Sequence, residues 1–238
     1  MEFDGSQVLI GRGAQADVYK YQGYAYKVYK PTYPEEWIRF EISQQETVVN
    51  LGLCDICYYV TSDPHVIRMD LIEGIELEKK VLEGYLEGFN LLCDAFRKVH
   101  QAKIPAEGIN MPRLIDAAAL FLTDEEKDKI LPVISRLSEK YEPCVCHLDM
   151  HFLNIMIPND AELIADKIKY TIIDWMNARL APPVFDYART YVIFDEFAKE
   201  AVEFYKAAVW PDILSLGIGE DDFFDAVKAC TVLRSHEK

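Results

Sequence analysis

HLDMHFLNIM, residues 147–156, decides how the rest of the chain is read. It sets His147, Asp149, His151 and Asn154 among Leu, Met, Phe and Ile. Polar side chains in apolar surroundings are costly unless partnered, so the cluster implies a buried hydrogen-bond network or a chemical task. Downstream, YTIIDWMNARLAPPVFDYART, residues 170–190, adds Asp174 and Asp186. Asp149 can accept a proton from a hydroxyl, and Asn154 and Asp174 offer the hard oxygens that Mg²⁺ prefers when it also binds phosphates. Taken singly, His147 and His151 read as satisfied structural histidines and Asp149 as a cap. The ordered set reads as a phosphoryl-transfer site.

Upstream, GRGAQADVYK, residues 11–20, lies between two expected strands. Gly11, Gly13 and the small Ala14 let a hairpin backbone approach phosphate oxygens closely. No Gly-Lys-Ser/Thr follows, which excludes a Walker A loop, and the turn leads into a strand, which excludes a Rossmann turn. An ordinary glycine hairpin is the bland alternative. Lys27 follows in YAYKVYK, where it points either outward or inward to pair with an acid of the next helix and with phosphate oxygens; Glu41 and Glu46 are both candidates for that acid.

The first third alternates apolar and polar residues in QVLIG, DVYKY, YAYKVYK, ICYYV and HVIRMD, which predicts a small antiparallel sheet. One helix, beginning at Glu35 and stopping at Gly52, interrupts it. Beyond Gly74 the spacing turns helical over residues 82–104, 124–140, 185–209 and 221–236, with short strand-like pieces CVCH, NIMI and YTIID between them. The expected organisation is α+β in two lobes, residues 1–73 and 74–238.

With 238 residues, half of them apolar and 12% aromatic, the chain can fill a substantial core. A formal charge of −15 argues against nucleic acid or an anionic membrane as partner and is compatible with a cationic substrate. The opening residues carry no export pattern and no window approaches the ~20 apolar residues of a membrane span, so a cytoplasmic protein is expected. The six cysteines are then expected as thiols. Cys54 with Cys57, and Cys144 with Cys146 next to His147, invite a zinc reading; both pairs lie in apolar strand-like runs, where free Cys packs as core, and that reading is preferred.

The order of Gly-rich hairpin, strand Lys, helix Glu, His-x-Asp-x4-Asn and Ile-Asp-Trp resembles the aminoglycoside phosphotransferase and choline kinase family, relatives of protein kinases. The resemblance spans roughly residues 8–190. It implies a protein-kinase-like fold, with an N-terminal antiparallel sheet lobe that binds nucleotide and a helical C-terminal lobe for catalysis and substrate. It also implies ATP and Mg²⁺, and transfer of the γ-phosphate to a hydroxyl of a small aminoglycoside-, choline- or sugar-like molecule. Position by position, Asp149 is implied as catalytic base, Asn154 and Asp174 as Mg²⁺ ligands, and Lys27 as the contact to the α- and β-phosphates. Glu41 is the preferred partner of Lys27, because it precedes Gly52 as the family's acid precedes its helix end. Gly11, Gly13 and Ala14 correspond to the phosphate hairpin. Met69, Asp70 and Ile72 fall in a hinge-like segment where the Asp70 carbonyl and Ile72 N–H would read adenine. Asp186 corresponds to a supporting acid of the catalytic loop, and His100 to a packed helix end.

Leu148, Phe152-Leu153, Met176 and Ala181 depart from the family pattern, which has Gly, Pro-Gly, an acid and Gly at those places. None removes a catalytic group. Acids at 195, 196, 200, 221, 222 and 225 are candidates to meet amino groups of an acceptor, against the simpler expectation of a solvated acidic helix face. Two further classes are weighed: a small protein kinase, for which the lack of a recognisable activation segment between Asp174 and Asp186 counts against regulation of the usual protein-kinase kind, and a non-catalytic nucleotide-binding module, disfavoured by retention of Lys27, Asp149, Asn154 and Asp174.

Overall fold

The structure, a computed structural model, describes residues 3–85, 87–158 and 169–236. The chain divides into two compact units, Met1–Gly74 and Ile75–Lys238.

In the first unit, β1 (Val8–Arg12), β2 (Ala16–Tyr21), β3 (Tyr24–Tyr29), β4 (Tyr58–Val60) and β5 (Val66–Asp70) form an antiparallel sheet in the order β1-β2-β3-β5-β4. Gln22 and Gly23, both at positive φ, close the β2–β3 hairpin between paired Tyr21 and Tyr24, the two-residue turn whose twist suits adjacent strands. The side-chain period of two then puts Ala25, Lys27 and Tyr29 on one face and Tyr26 and Val28 on the other. Helix α1 (Glu35–Asn50) buries Ile38, Glu41, Gln45 and Val48, spaced three or four apart on one stripe. Ile38 joins Ala16, Ala25, Tyr29, Ile67 and Met69 in one apolar cluster. On the opposite face Tyr21, Tyr26 and Val66 pack with Phe3, whose ring meets both tyrosines edge-on at 5.3 and 5.6 Å.

The second unit opens at β6 (Gly74–Glu76), which lies beside β8 in a small sheet. It continues through α2 (Leu77–Leu82), α3 (Gly88–His100), α4 (Leu114–Phe121), α5 (Asp124–Lys140), β7 (Cys144–Cys146), β8 (Ile155–Pro158), β9 (Thr171–Ile172), β10 (Arg179–Ala181), α6 (Pro183–Phe197), α7 (Val202–Ser215) and α8 (Glu220–Ser235). Strands β7 and β10 pair antiparallel, as do β8 and β9. Thr123 and Glu126 form a reciprocal capping box that fixes where α5 begins.

Two expectations from the spacing are revised. The helix expected from residue 82 starts at Gly88, after a turn in which Gly84 has φ +96°. The helix expected over 185–209 is two helices, broken where Ala198 leaves helical geometry at φ −147°. The Tyr205 hydroxyl donates to the Tyr187 carbonyl at 2.7 Å, so α7 folds back on α6. Helix α4 was not anticipated, because a short run as apolar as LIDAAALF has no periodicity to read.

Candidate active site

The segment HLDMHFLNIM runs from β7 to β8, and its backbone is held by one carboxylate. Asp186, on the first turn of α6 and fully buried, accepts from Leu148 N–H at 2.8 Å on Oδ1 and from His147 N–H at 3.0 Å on Oδ2. The same Oδ2 takes the Nε2 of His100, the last residue of α3, at 2.9 Å. Thr190, one turn further along α6, donates its hydroxyl to the Met150 carbonyl at 2.7 Å. The loop's orphan backbone groups are thus satisfied by α6 side chains, which pins its path. Phe152 anchors the far end by packing edge-on against Phe89 and Phe194 at 5.1 and 5.3 Å, which is what this aromatic does where the family has Pro-Gly.

His147 is buried against Trp175, ring centroids 4.6 Å apart. Its Nδ1 accepts the N–H of Asp149 at 3.2 Å, so Nε2 carries the proton and donates to the Ile173 carbonyl at 3.0 Å. Burial holds this ring's pKa below the ordinary histidine value, in keeping with the neutral tautomer. Both nitrogens are therefore engaged, and His147 is a spacer that ties the segment before Asp149 to the segment before Asp174.

Asp149 projects from that frame. Burial raises its carboxyl, but the positive charges that face it, His151 with its Nε2 3.7 Å from Oδ2 and then Arg189, outweigh burial and bring it down to about 2. Asn154 turns its amide nitrogen to the Asp149 carbonyl at 2.8 Å and to Asp149 Oδ2 at 3.1 Å. The amide oxygen of Asn154 keeps no hydrogen-bond partner among the described residues. Ile173 N–H donates to the Asn154 carbonyl at 3.0 Å, and Ile155 pairs with Ile172, so the β8–β9 ladder delivers Asp174 next to Asn154 in the chain path. Asp174 sits in left-handed geometry at φ 63°, which takes it out of the strand, and its carboxylate makes no hydrogen bond among the described residues. An amide oxygen and a carboxylate left without partners are the hard donors that suit Mg²⁺, so these two residues fit the ion.

In the first unit, Lys27 Nζ lies 2.6 Å from Glu41 Oε1, and the Tyr29 hydroxyl donates to Glu41 Oε2 at 2.5 Å. Glu41 is buried on the inner stripe of α1, whereas Glu46 is exposed. Helix phase therefore makes the choice that the spacing left open. At the β1–β2 tip, Gly13 N–H donates to the Ala16 carbonyl at 2.8 Å, and a Cβ on Gly13 would stand 3.1 Å from that oxygen, so that a larger residue would require the turn to give slightly. Lys30 caps the tip by donating to the Ala14 carbonyl at 2.5 Å. Gly11 lies on β1 beside Val18. Met69 and Asp70 end β5; the Asp70 carboxylate is occupied by Cys57 N–H at 2.9 Å and the Tyr59 hydroxyl at 3.2 Å, while Ile72 lies beyond the strand.

The acidic residues of the last helices divide by partner. Asp222 accepts from Arg136, Lys140 and Tyr141, and Asp225 pairs with Arg136 and Lys228, so both fasten α8 to α5 or to its own helix. Asp195 and Glu196 instead line a cavity of about 330 Å³ between α6 and α8, with Tyr191, Thr231 and Arg234. Arg234 Nε lies 2.6 Å from Glu196, and its Nη1 is 4.0 Å from Asp149 Oδ1. Arg234 had no signal in the sequence: its importance comes from α8 packing along α6, not from any motif.

These parts define the protein-kinase-like fold, a sheet-rich N-terminal unit and a helical C-terminal one. Residues 69–213, more than half of the chain, match the phosphotransferase enzyme family, and the chain belongs to that family. Among solved structures, a choline kinase of Streptococcus pneumoniae is similar at 14% identity over 97% of this chain and 85% of its own, with a TM-score of 0.59. An aminoglycoside phosphotransferase of Streptomyces rimosus is similar at 16% identity over 96% of this chain and 93% of its own, with a TM-score of 0.60. An aminoglycoside phosphotransferase in a ternary complex with streptomycin and ATP is similar at 17% identity over 95% and 90%, with a TM-score of 0.51. No curated protein sequence matches the chain.

Proposed function

We propose that the protein transfers the γ-phosphate of ATP to a hydroxyl of a small molecule, in the cytoplasm. The observation that carries this reading is the Asp149–Asn154 arrangement, one carboxylate oriented by an amide whose oxygen, like the carboxylate of Asp174, has no hydrogen-bond partner among the described residues.

In this reading Asp149 holds the acceptor hydroxyl by a hydrogen bond and receives its proton as the oxygen bonds to the γ-phosphorus and the bond to the β-phosphate oxygen breaks, leaving ADP. A carboxyl with a pKa of about 2 is a weak base. That suits phosphoryl transfer, where charge is spread over the phosphoryl oxygens and positioning dominates, so that the proton leaves late. Asn154 and Asp174 would hold Mg²⁺, which when bound supplies positive charge to the phosphate oxygens. Lys27, oriented by Glu41, would contact the α- and β-phosphates, and the hairpin of Gly11, Gly13 and Ala14 would let its backbone approach them closely. The Asp70 carbonyl and Ile72 N–H would read the adenine edge from Met69–Ile72. His147 keeps Asp149 oriented and shares its hydrogen bonds with the Asp174 segment. The cavity between α6 and α8 is the acceptor's place in this reading, since Arg234 joins its lining to Asp149.

The test is transfer of labelled γ-phosphate from ATP–Mg²⁺ by wild type and Asp149→Asn, offered small-molecule and protein fractions of a cell extract separately. Label in a small molecule is expected, reduced about 10²–10⁴-fold in the variant. Label on protein alone, no label in either fraction, or a variant within about tenfold of wild type would each overturn the proposal.

A further inference from the structure

We infer that the protein carries a metal site for a thiophilic d¹⁰ cation, Zn²⁺ in the first instance, made by Cys144 and Cys146 of β7 and His100 at the end of α3. This inference stands apart from the proposed phosphotransfer and uses none of its residues as ligands.

Residues two apart on a strand share a face, so Cys144 and Cys146 present both thiols to the same side of β7 while Val145 turns to the other. Their sulfurs are 3.8 Å apart. Two Zn–S bonds of about 2.3 Å at a tetrahedral angle place the sulfurs about 3.8 Å apart, so the pair already has the spacing of two ligands on one ion. A ring nitrogen of His100 completes the group, the three ligand atoms lying within 4.8 Å of one another. The thiols otherwise find only long contacts, to the Ala181 carbonyl at 3.6 and 3.3 Å and the Pro182 carbonyl at 3.6 Å.

The surroundings are those of a held ligand set. His100 Nε2 is bonded to buried Asp186 at 2.9 Å, which orients the ring and leaves Nδ1 as the nitrogen with a lone pair to give. A carboxylate behind a histidine is the usual support of a metal-binding imidazole. Cys146 is fully buried, whereas Cys144 is only partly so, which leaves the pair reachable from the Cys144 side. Zn²⁺ would displace the two thiol protons to solvent and bind two thiolates and one neutral imidazole, with no change of oxidation state. Among the described residues this is the one cluster of histidine, cysteine and acid side chains close enough to share an ion. It does not include His147, whose two nitrogens are spent on backbone groups.

The experiment is metal binding by the full chain, reduced and stripped with chelator, then titrated with Zn²⁺ against a chromophoric competitor and weighed by native mass spectrometry. One Zn²⁺ per chain is expected in wild type and in Cys54→Ser/Cys57→Ser. Cys144→Ser/Cys146→Ser should bind at least about tenfold more weakly, as loss of direct ligands must cost no less than loss of their supports. Should that variant not fold, alkylation of wild type reads the same point: Zn²⁺ is expected to slow modification of Cys144 and leave Cys57 unaffected. Absence of stoichiometric Zn²⁺ in wild type, retention of affinity without both cysteines, or equal alkylation of Cys144 with and without Zn²⁺ would overturn the inference.

Discussion

Asp149 stands at the meeting of two neighbourhoods built in different ways. On one side, the loop of residues 147–154 is held through its backbone: Asp186, Thr190 and Ile173 bind main-chain groups, and His147 fills the interior. On the other side, the cavity between α6 and α8 is bounded by side chains that bind one another, Arg234 to Glu196 above all. Backbone anchoring fixes a path that few substitutions can alter without cost, whereas a side-chain wall can be rebuilt one residue at a time. In the proposed reading the chemistry belongs to the loop and the choice of acceptor to the cavity.

The largest expected effect tests the loop. Asp186→Asn replaces an acceptor of three hydrogen bonds by a group with only one acceptor atom, leaving a buried N–H unpaired and His100 without its carboxylate. Removing one partner of such a buried arrangement costs about 3–5 kcal/mol, read as a fall in thermal or denaturant midpoint, and activity should fall with it. A variant as stable as wild type would mean that the backbone of the loop does not depend on this carboxylate, and the contrast would lose its basis.

Arg234→Gln tests the cavity and should do less. The pair with Glu196 is lost from a half-open wall, so the acceptor KM is expected to change by about tenfold, the scale of one charge-assisted hydrogen bond, with kcat altered less. An equal fall in kcat with KM unchanged would instead place Arg234 in the machinery of the loop, through its 4.0 Å approach to Asp149.

The same contrast explains what could be read in the sequence. Asp149, Asn154 and Asp174 lie within one short stretch, and the ladder that joins them is local, so their order already implied phosphoryl transfer. The strands of the first unit were legible because Ala25, Lys27 and Tyr29 alternate with Tyr26 and Val28. Glu41 and Glu46 needed the phase of α1 to separate them. Arg234, the His100–Asp186 bond and the cavity depend on the packing of helices far apart in sequence, and acids alone cannot announce it: Asp222 and Asp225 fasten helices, whereas Asp195 and Glu196 line the cavity. The break at Ala198 likewise follows from Tyr205 docking on Tyr187, a contact that helical spacing does not encode.

Leu148 gives the smallest and sharpest test, because here a departure from the family pattern meets a backbone requirement. The position lies at φ 58°, in the left-handed region, while its N–H is directed at Asp186. A residue with a Cβ costs about 1–2 kcal/mol there, which glycine does not, and Leu148 offsets part of that cost by burying its side chain. Comparing Leu148→Ala with Leu148→Gly separates the two contributions, since both remove the buried leucine but only glycine removes the strain. Glycine is expected to be the more stable of the two by about 1 kcal/mol, the reverse of their order in a helix or strand interior. If alanine proves equal or better by chemical denaturation, the loop has no fixed left-handed turn at this residue. The path of the loop from His147 to Asp149 would then be set by the side chains around it and not by its own backbone.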